Sequence, residues 1–486
     1  MSALLAASPL LAQVAPERTP RRVRTNALEA ALQRRLVPLL DSAPFERALW
    51  GVAVADPTGR IVFERNGGRL FVPASNTKLI VAAVAVALLP DTFRFRTSVY
   101  GDGPVVNGVL QGDIVLYGRG DPTLSDRYER TRLSAFEQLV EQLRERGIER
   151  VEGDVVGDAS YFDSVVVHPS WEGYDLNWWY GAPVTALGFN DNSVDFLITP
   201  GAVGEPPRID LAPELGVVEL TNLARTVPAD RPRTLDFHRV PGTNRVFAVG
   251  DVPVDARPWT ENFAVHDAPA YAAAAFRRAL ETRGITVTGR TRGNFDPGRY
   301  ASARARGALA ERRSRPLPDV IRPILEISHN WYAEMLLKTL GRELRGVGSW
   351  EAGLDVERRF LIDVLRVDST AFRLADASGL SHWNLVTPVA FVQLLNGMQR
   401  HPRGEAFRGL LPVGGESGTL RFRFRNSPVS RLVRAKTGSI ASTNTLSGYL
   451  ELPGGTWTFS IQLNHHTARN RDALRRIDEI VEALIR

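Results

Sequence analysis

Two short segments of this chain carry residue types that can perform nucleophilic chemistry together. Ser75-Asn76-Thr77-Lys78 sets a hydroxyl and an amine three residues apart, and Lys436-Thr437-Gly438-Ser439 supplies a second amine beside a glycine. Only three of the 60 basic residues are lysines, at positions 78, 338 and 436, and two of the three fall in these segments. An arginine stays protonated at any physiological pH, whereas burial or a neighbouring cation can strip the proton from a lysine and leave a base. Lys78 and Lys436 therefore read as positions where a guanidinium cannot serve. Lys338, on an expected helix, reads as a surface or packing residue with no catalytic role.

A serine hydroxyl is a weak nucleophile until a base within hydrogen-bond reach takes its proton. Residues three apart on a helix share a face, so Ser75 and Lys78 satisfy that need if a helix opens at Ser75. For Lys78 to accept a proton its ammonium form has to be disfavoured, by burial and by a second cation, for which Lys436 is the candidate. Serine and lysine at this spacing occur often by chance, and a plain helix N-cap is the bland reading of Ser75. A further motif, Ser328-His329-Asn330, raises the weight of the pair, because the chain then runs SxxK, SxN, KTG in order.

The elements that have to hold these motifs are legible in outline. Residues 26–40 have helical spacing behind Asn26, and 48–66 read as two strands joined by Asp56-Pro57-Thr58-Gly59. KLIVAAVAVALL is apolar on every side and stops at Pro90, which predicts a helix from Ser75 to Leu89 inside the protein. Residues 93–305 change texture to short strands, glycine-rich turns and two helices, 132–146 and 269–283. Helices return at 318–342, 349–365 and 387–398, followed by strands 431–437, 444–452 and 456–464 and a last helix from 470. Neither end has enough partners alone, so 26–92 and 306–486 are expected to form one discontinuous domain. Its fold class is α/β (α+β), an antiparallel sheet flanked by helices. Two inserted domains rich in β-structure follow, one formed by 93–185 with 245–305 and a nested one by 186–244.

With these residues in view the chain resembles the penicillin-binding proteins. More narrowly, it resembles the D-alanyl-D-alanine carboxypeptidase/endopeptidases of the low-molecular-mass class C group. The narrower likeness rests on YGRGDPTLS (117–125), GDASYFDS (157–164), YGAPVTALGFNDNSV (180–194), DASGLS (376–381) and LPVGGESGTLRFRF (411–424). It implies a serine DD-peptidase that cleaves D-Ala-D-Ala bonds, and cross-links where it acts as an endopeptidase, through a Ser75 acyl-enzyme that penicillins also form. In that reading Lys78 takes the serine proton, Ser328 relays a proton to the leaving amine, and Asn330 holds Lys78. Lys436 and Thr437 would attract the terminal carboxylate, Gly438 would let the substrate strand approach, and the amides of Ser75 and Ser439 would form an oxyanion hole. His329 stands where aspartate is common and should point away from the cleft. Asp158 either caps a turn or reaches toward a cationic group on the peptide stem. The tryptophans 171, 178 and 179 with Tyr180 read as domain packing or as a substrate rim.

The expected partners are peptidoglycan stem peptides, with β-lactam antibiotics as covalent inhibitors. The rivals are a β-lactam or ester hydrolase on the same site and a noncatalytic peptidoglycan-binding protein. A net charge of +6 scattered among acids argues against nucleic acid, and the absence of cysteine excludes disulfides and thiolate metal sites. No cofactor is expected and no metal, since His465 and His466 would point opposite ways on a strand. No stretch is long and apolar enough to span a bilayer. Residues 1–25 read as the back half of a secretory signal peptide, with cleavage after Ala12 or Ala15, or as a disordered tail. A periplasmic or otherwise extracytoplasmic location follows from that reading.

Overall fold

The computed structural model of the protein describes residues 27–485, so the signal-peptide reading lies outside the described residues. Helix α1 (Ala27–Asp41) buries Leu32, Leu36 and Leu40, one stripe at four-residue spacing. Strand β1 (Leu49–Ala55) turns through Asp56–Gly59 into β2 (Ile61–Arg65). Near the other end come β3 (Val433–Ile440), β4 (Thr443–Leu452) and β5 (Gly455–Asn464). The five strands form one antiparallel sheet in the order β2-β1-β5-β4-β3. β1 and β5 are adjacent along their whole length, from Leu49 opposite Asn464 to Ala55 opposite Thr458. The two ends of the chain thus build one sheet, as the missing partners of each required.

Alternation along the strands decides the faces. Trp50, Val52 and Val54 pack with Leu32 and Leu36, and with Ile477 and Ile480 of the last helix, Asn470–Glu482. Ala53 and Ala55 point the other way, onto Val392 of the helix Pro388–Arg400. On β3 and β4 the same period places Ala435 and Leu446 in the first layer. Lys436 and Gly438 then point to the second layer, opposite Ser447 and Thr445. Helix α2 (Lys78–Leu88) runs through that second layer, with every residue from Lys78 to Val86 buried, and ends before Pro90.

The expected single helix over 318–342 is two helices, α3 (Leu317–Glu326) and α4 (Asn330–Arg345). They are separated by Ser328, whose φ is +65°. That left-handed residue ends one helix and swings its side chain into the cleft, and such strain is typical of functional sites. The segment after α4 runs as an α-helix from Trp350 to Arg359 and widens to a π-type turn over Phe360–Val364.

Between α2 and α3 lies a five-stranded sheet in the order 291–294, 155–158, 113–118, 96–102, 310–313. Helices Ser134–Glu145 and Ala268–Thr282 accompany it. The nested β unit is larger than expected. Residues 245–249 pair with 219–222 and 236–239, 251–253 with 225–227, and 259–264 with 193–199. By strand pairing it extends to Ala264 instead of ending at 244, because the partners of these strands come from segments no local pattern identifies.

Where the insert sheet closes, Arg312 is buried between Asp121 at 2.8 Å, Glu129 at 2.7 Å and the hydroxyl of Thr123. Arg312→Met would strand both carboxylates. We expect it to lower the unfolding free energy by about 3–5 kcal/mol, the usual cost of breaking a buried pair from one side. Urea unfolding followed by tryptophan fluorescence would read it, and an unchanged midpoint would count against this anchor.

Candidate active site

Ser75 does not open an α-helix as a cap. It sits in a 3-10 turn, Ala74–Thr77, that leads directly into α2. In a 3-10 turn residues three apart eclipse one another, which stacks Ser75 over Lys78. The turn is pinned to the sheet: Thr445 donates to the Pro73 carbonyl at 3.0 Å, and the Asn76 carboxamide bridges the Lys436 carbonyl and the Ser447 hydroxyl. Two glycines allow the approach. A side chain on Gly438 would lie 3.0 Å from the Ser75 nitrogen and 2.2 Å from Thr445 Oγ1, and one on Gly379 would lie 1.9 Å from the Ala74 carbonyl oxygen. The clearance at Gly438 thus serves the nucleophile turn itself.

Lys78 Nζ has three partners: Ser75 Oγ at 2.9 Å, Asn330 Oδ1 at 2.7 Å and the Ser378 carbonyl at 2.5 Å. Two of these oxygens can only accept, and the third is a hydroxyl. A neutral amine has two hydrogens and one lone pair, so it satisfies all three if Ser75 donates to it. Burial pushes Lys78 down to about 7, against the opposing charges of Asp376 and Glu334. Burial, and not the second lysine, is therefore the main cause of the depression. Lys436 is also fully buried and is driven well below the ordinary lysine value by burial and then by Lys78. Its amine donates to Ser328 Oγ at 2.9 Å and to the Thr437 carbonyl at 2.7 Å.

Helix α4 carries three polar residues at four-residue spacing. Asn330 binds Lys78 through its oxygen and the Tyr180 carbonyl through its nitrogen. Glu334, fully buried, accepts from the backbone amides of Ala377 and Ser378 and from Trp350 Nε1 at 2.8 Å. Lys338 donates to Asp163 and the Val165 carbonyl and lies 3.8 Å over the Trp350 ring, a buried packing role. Glu334 was not singled out from sequence, although its place one turn beyond Asn330 on a buried helix was a usable signal. It fastens the very loop whose Ser378 carbonyl holds Lys78. Burial and then the charge of Asp376 push Glu334 up to about 7. Asp376 in turn accepts from the amides of Gly379 and Ser381, from Asn384 and from Trp171 Nε1.

These groups face a cleft of about 470 Å³ whose walls include Ser75, Ser328, Asn330 and Ser439. Lys78 and Lys436 stand behind them. Glu172, Asp175, Trp179, Tyr180, Leu380 and His382 also line the cleft, so the aromatic cluster divides. Trp179 and Tyr180 reach the cleft, Trp171 is buried, and Trp178 packs against Phe237 and Phe263. Thr437 lies beside the cleft, its hydroxyl donating to Thr419 at 2.9 Å. His329 turns away, with Nε2 3.0 Å from Asp191 and its ring against Trp179 and Tyr332. Asp158 does not reach the cleft. It is fully buried in the insert, where it accepts from the Ser160 amide, Asn294 and Arg304. Those bonds consume the carboxylate, so a stem-peptide role falls away from Asp158. The acids that do face the cleft are Glu172 and Asp175.

Residues 32–484 match the family described as D-Ala-D-Ala carboxypeptidase 3 (S13). The chain is 35% identical over 477 residues to a D-alanyl-D-alanine carboxypeptidase of Actinomadura sp., covering 96% of this chain and 85% of that protein. It is 27% identical over 399 residues to the D-alanyl-D-alanine carboxypeptidase DacB of Haemophilus influenzae, covering 80% of each. Among solved structures, penicillin binding protein 4 (dacB) from Haemophilus influenzae superposes with a TM-score of 0.78 at 24% identity, over 93% of this chain and 98% of that one. The fold is therefore the penicillin-binding fold with additional domains.

With Lys78 as base, kcat/KM on a D-Ala-D-Ala peptide should rise with pH through about 7, as the free enzyme loses the lysine proton. Glu334→Gln removes a charge that holds this value up, so the acid limb should move to lower pH. The plateau kcat should fall roughly 10- to 100-fold from loosening of the 376–379 loop, at nearly constant KM. A limb that stays in place would reduce Glu334 to a scaffold residue.

Proposed function

The chain belongs to the D-Ala-D-Ala carboxypeptidase 3 (S13) family of serine-type hydrolases, and from that premise we propose that it trims peptidoglycan stem peptides through a Ser75 acyl-enzyme. The observation that carries this reading is the Ser75 hydroxyl 2.9 Å from an amine that burial keeps near neutrality. Ser75 Oγ attacks the carbonyl carbon of the D-Ala-D-Ala bond while Lys78 Nζ takes its proton. The backbone amides of Ser75 and Ser439 are the donors for the developing oxyanion. Collapse of the tetrahedral intermediate breaks the C–N bond. The leaving amine takes a proton from the Ser328 hydroxyl, which Lys436 holds in place, and the proton that Lys78 took from Ser75 makes good that loss, so Lys78 is neutral once more. Water then attacks the ester with Lys78 again as base, and Ser75 leaves with its proton restored.

Lys436 has no carboxylate partner among the described residues, which leaves it ready for one. A terminal carboxylate entering the cleft supplies the countercharge that favours its ammonium form. Thr437 and Thr419, with their hydroxyls paired at 2.9 Å, stand beside that position. On the opposite rim Glu172 and Asp175, with Tyr180 donating to Asp175 at 3.2 Å, suit a stem peptide bearing an amine. Such substrates lie outside the cytoplasm, and among the described residues no helix is long and apolar enough to cross a membrane.

Mixing the protein with benzylpenicillin and following intact mass over time tests the reading. We expect one covalent adduct on the wild type and none on Ser75→Ala. Lys78→Arg, which keeps the charge but cannot accept the proton, should acylate slower by roughly 10²- to 10⁴-fold. Labelling that survives in Ser75→Ala would refute the nucleophile. Fast decay of the adduct, with turnover on β-lactam exceeding that on peptide, would favour a β-lactam hydrolase on the same site.

A further inference from the structure

A second cavity, of about 540 Å³, adjoins the catalytic cleft and shares its Trp179 and Tyr180 wall. Tyr174, Trp178, Asp236 and Glu261 complete its principal walls, and no lysine or arginine lines it. The lining is organised. The Trp178 ring is fixed edge-on by Phe237 at 6.4 Å and Phe263 at 5.8 Å. Glu261 accepts from Trp259 Nε1 at 2.9 Å, and the Tyr174 hydroxyl donates to Asp236 at 3.2 Å. Tyr174 is nonetheless 52% exposed, a large aromatic surface left uncovered. The two carboxylates come from the nested β unit, whereas the aromatic ridge belongs to the segment that also shapes the cleft.

Flat aromatic faces with carboxylates at their edges match one kind of neutral ligand well. A pyranose ring presents polarised C–H groups on its faces, which the electron-rich face of an indole or phenol attracts. Its rim of hydroxyls donates to carboxylate oxygens, in bonds strengthened by the acceptor's charge. An anionic ligand would meet two acids and no cation. A lone ammonium head would use only a corner of a space in the size range of drug-like ligands. We propose that this cavity is a glycan subsite, taking a neutral N-acetylhexosamine unit of the strand that bears the stem peptide. The proposal rests on the peptidoglycan reading of the adjoining cleft, since the stem peptide joins its glycan on the side away from the scissile bond. The nested β unit then has a role: it supplies the acceptors that let the enzyme prefer peptide attached to sugar.

Two measurements on the full chain test it. Tri-N-acetylchitotriose, a glycan with no peptide and no charge, should change tryptophan fluorescence saturably and independently of salt. Asp236→Asn and Tyr174→Ala should each weaken that binding roughly tenfold or more. Second, kcat/KM on a stem peptide carried by an N-acetylated disaccharide should exceed that on the bare peptide by about tenfold, and both variants should abolish the difference while leaving the bare-peptide rate unchanged. The proposal is overturned if the trisaccharide produces no saturable signal. It is equally overturned if lysine amide binds there instead with steep salt dependence, or if wild type treats both substrates alike. If neither substrate is cleaved by folded protein, the peptidase reading fails, and the trisaccharide titration still decides the subsite.

Discussion

A lysine in the protein interior that burial brings down to about 7 is the constraint around which this site is built. Burying an ammonium without a paired charge is far more expensive than burying an amine, so the interior itself selects the protonation state that catalysis needs. The three oxygens around Lys78 Nζ accommodate that state, since two only accept and the third is a hydroxyl that can give up its hydrogen. An arginine could not be accommodated, because its guanidinium does not deprotonate and five donors would meet too few acceptors. The scarcity of lysine in the sequence and the geometry of the cleft thus have one cause.

Keeping the amine neutral yet basic requires a balance, and the buried acids behind the site provide it. Glu334 and Asp376 raise the proton affinity of Lys78 while burial lowers it. A third acid, Glu357, is fully buried near both, with neither carboxyl oxygen hydrogen-bonded among the described residues, and burial pushes it well above the ordinary carboxylate range. The same acids do mechanical service. Glu334 holds the Ala377 and Ser378 amides, and Asp376 holds Gly379 and Ser381, so the loop that supplies the Ser378 carbonyl cannot drift from Lys78. A site that needs placement within a fraction of an ångström is commonly held this way, by a second layer of bonds to rigid elements.

The rest of the fold can be understood as the frame for this contact. The turn bearing Ser75 leaves β2 and enters α2, yet it is clamped by Thr445, Ser447 and Gly438 from strands more than 350 residues later. Ser328 and Asn330 flank the left-handed break between α3 and α4, which aims one at Lys436 and the other at Lys78. The insert contributes its own wall, Glu172, Asp175, Trp179 and Tyr180, joined to the catalytic helix by the bond from Asn330 to the Tyr180 carbonyl. Removing the insert would therefore disturb Asn330 directly.

Residue type and local spacing were enough to single out Ser75, Lys78, Ser328, Asn330 and Lys436 as candidates, which the fold brings to one cleft, because nucleophile, base and amide chemistry admits few substitutes and the motifs are contiguous. The apolar run of α2, the β1–β2 hairpin and the closing strands were legible for a similar reason, since hydrophobic period is a local property. What the sequence could not decide was anything set by distant partners. The ion pair of the buried Asp158 with Arg304 and the pairing of strands within 245–264 with strands within 193–239 depend on contacts across many tens of residues. The role of Glu334 could not be assigned from its spacing alone because its partners, Ala377 and Ser378, become neighbours only when α4 meets the DASGLS loop. The depressed proton affinity of Lys78 was foreseen from burial and a second cation together, but not which of the two dominates. Burial is a property of the packed interior, so only the tertiary structure could show that solvent exclusion, more than the charge of Lys436, makes the base.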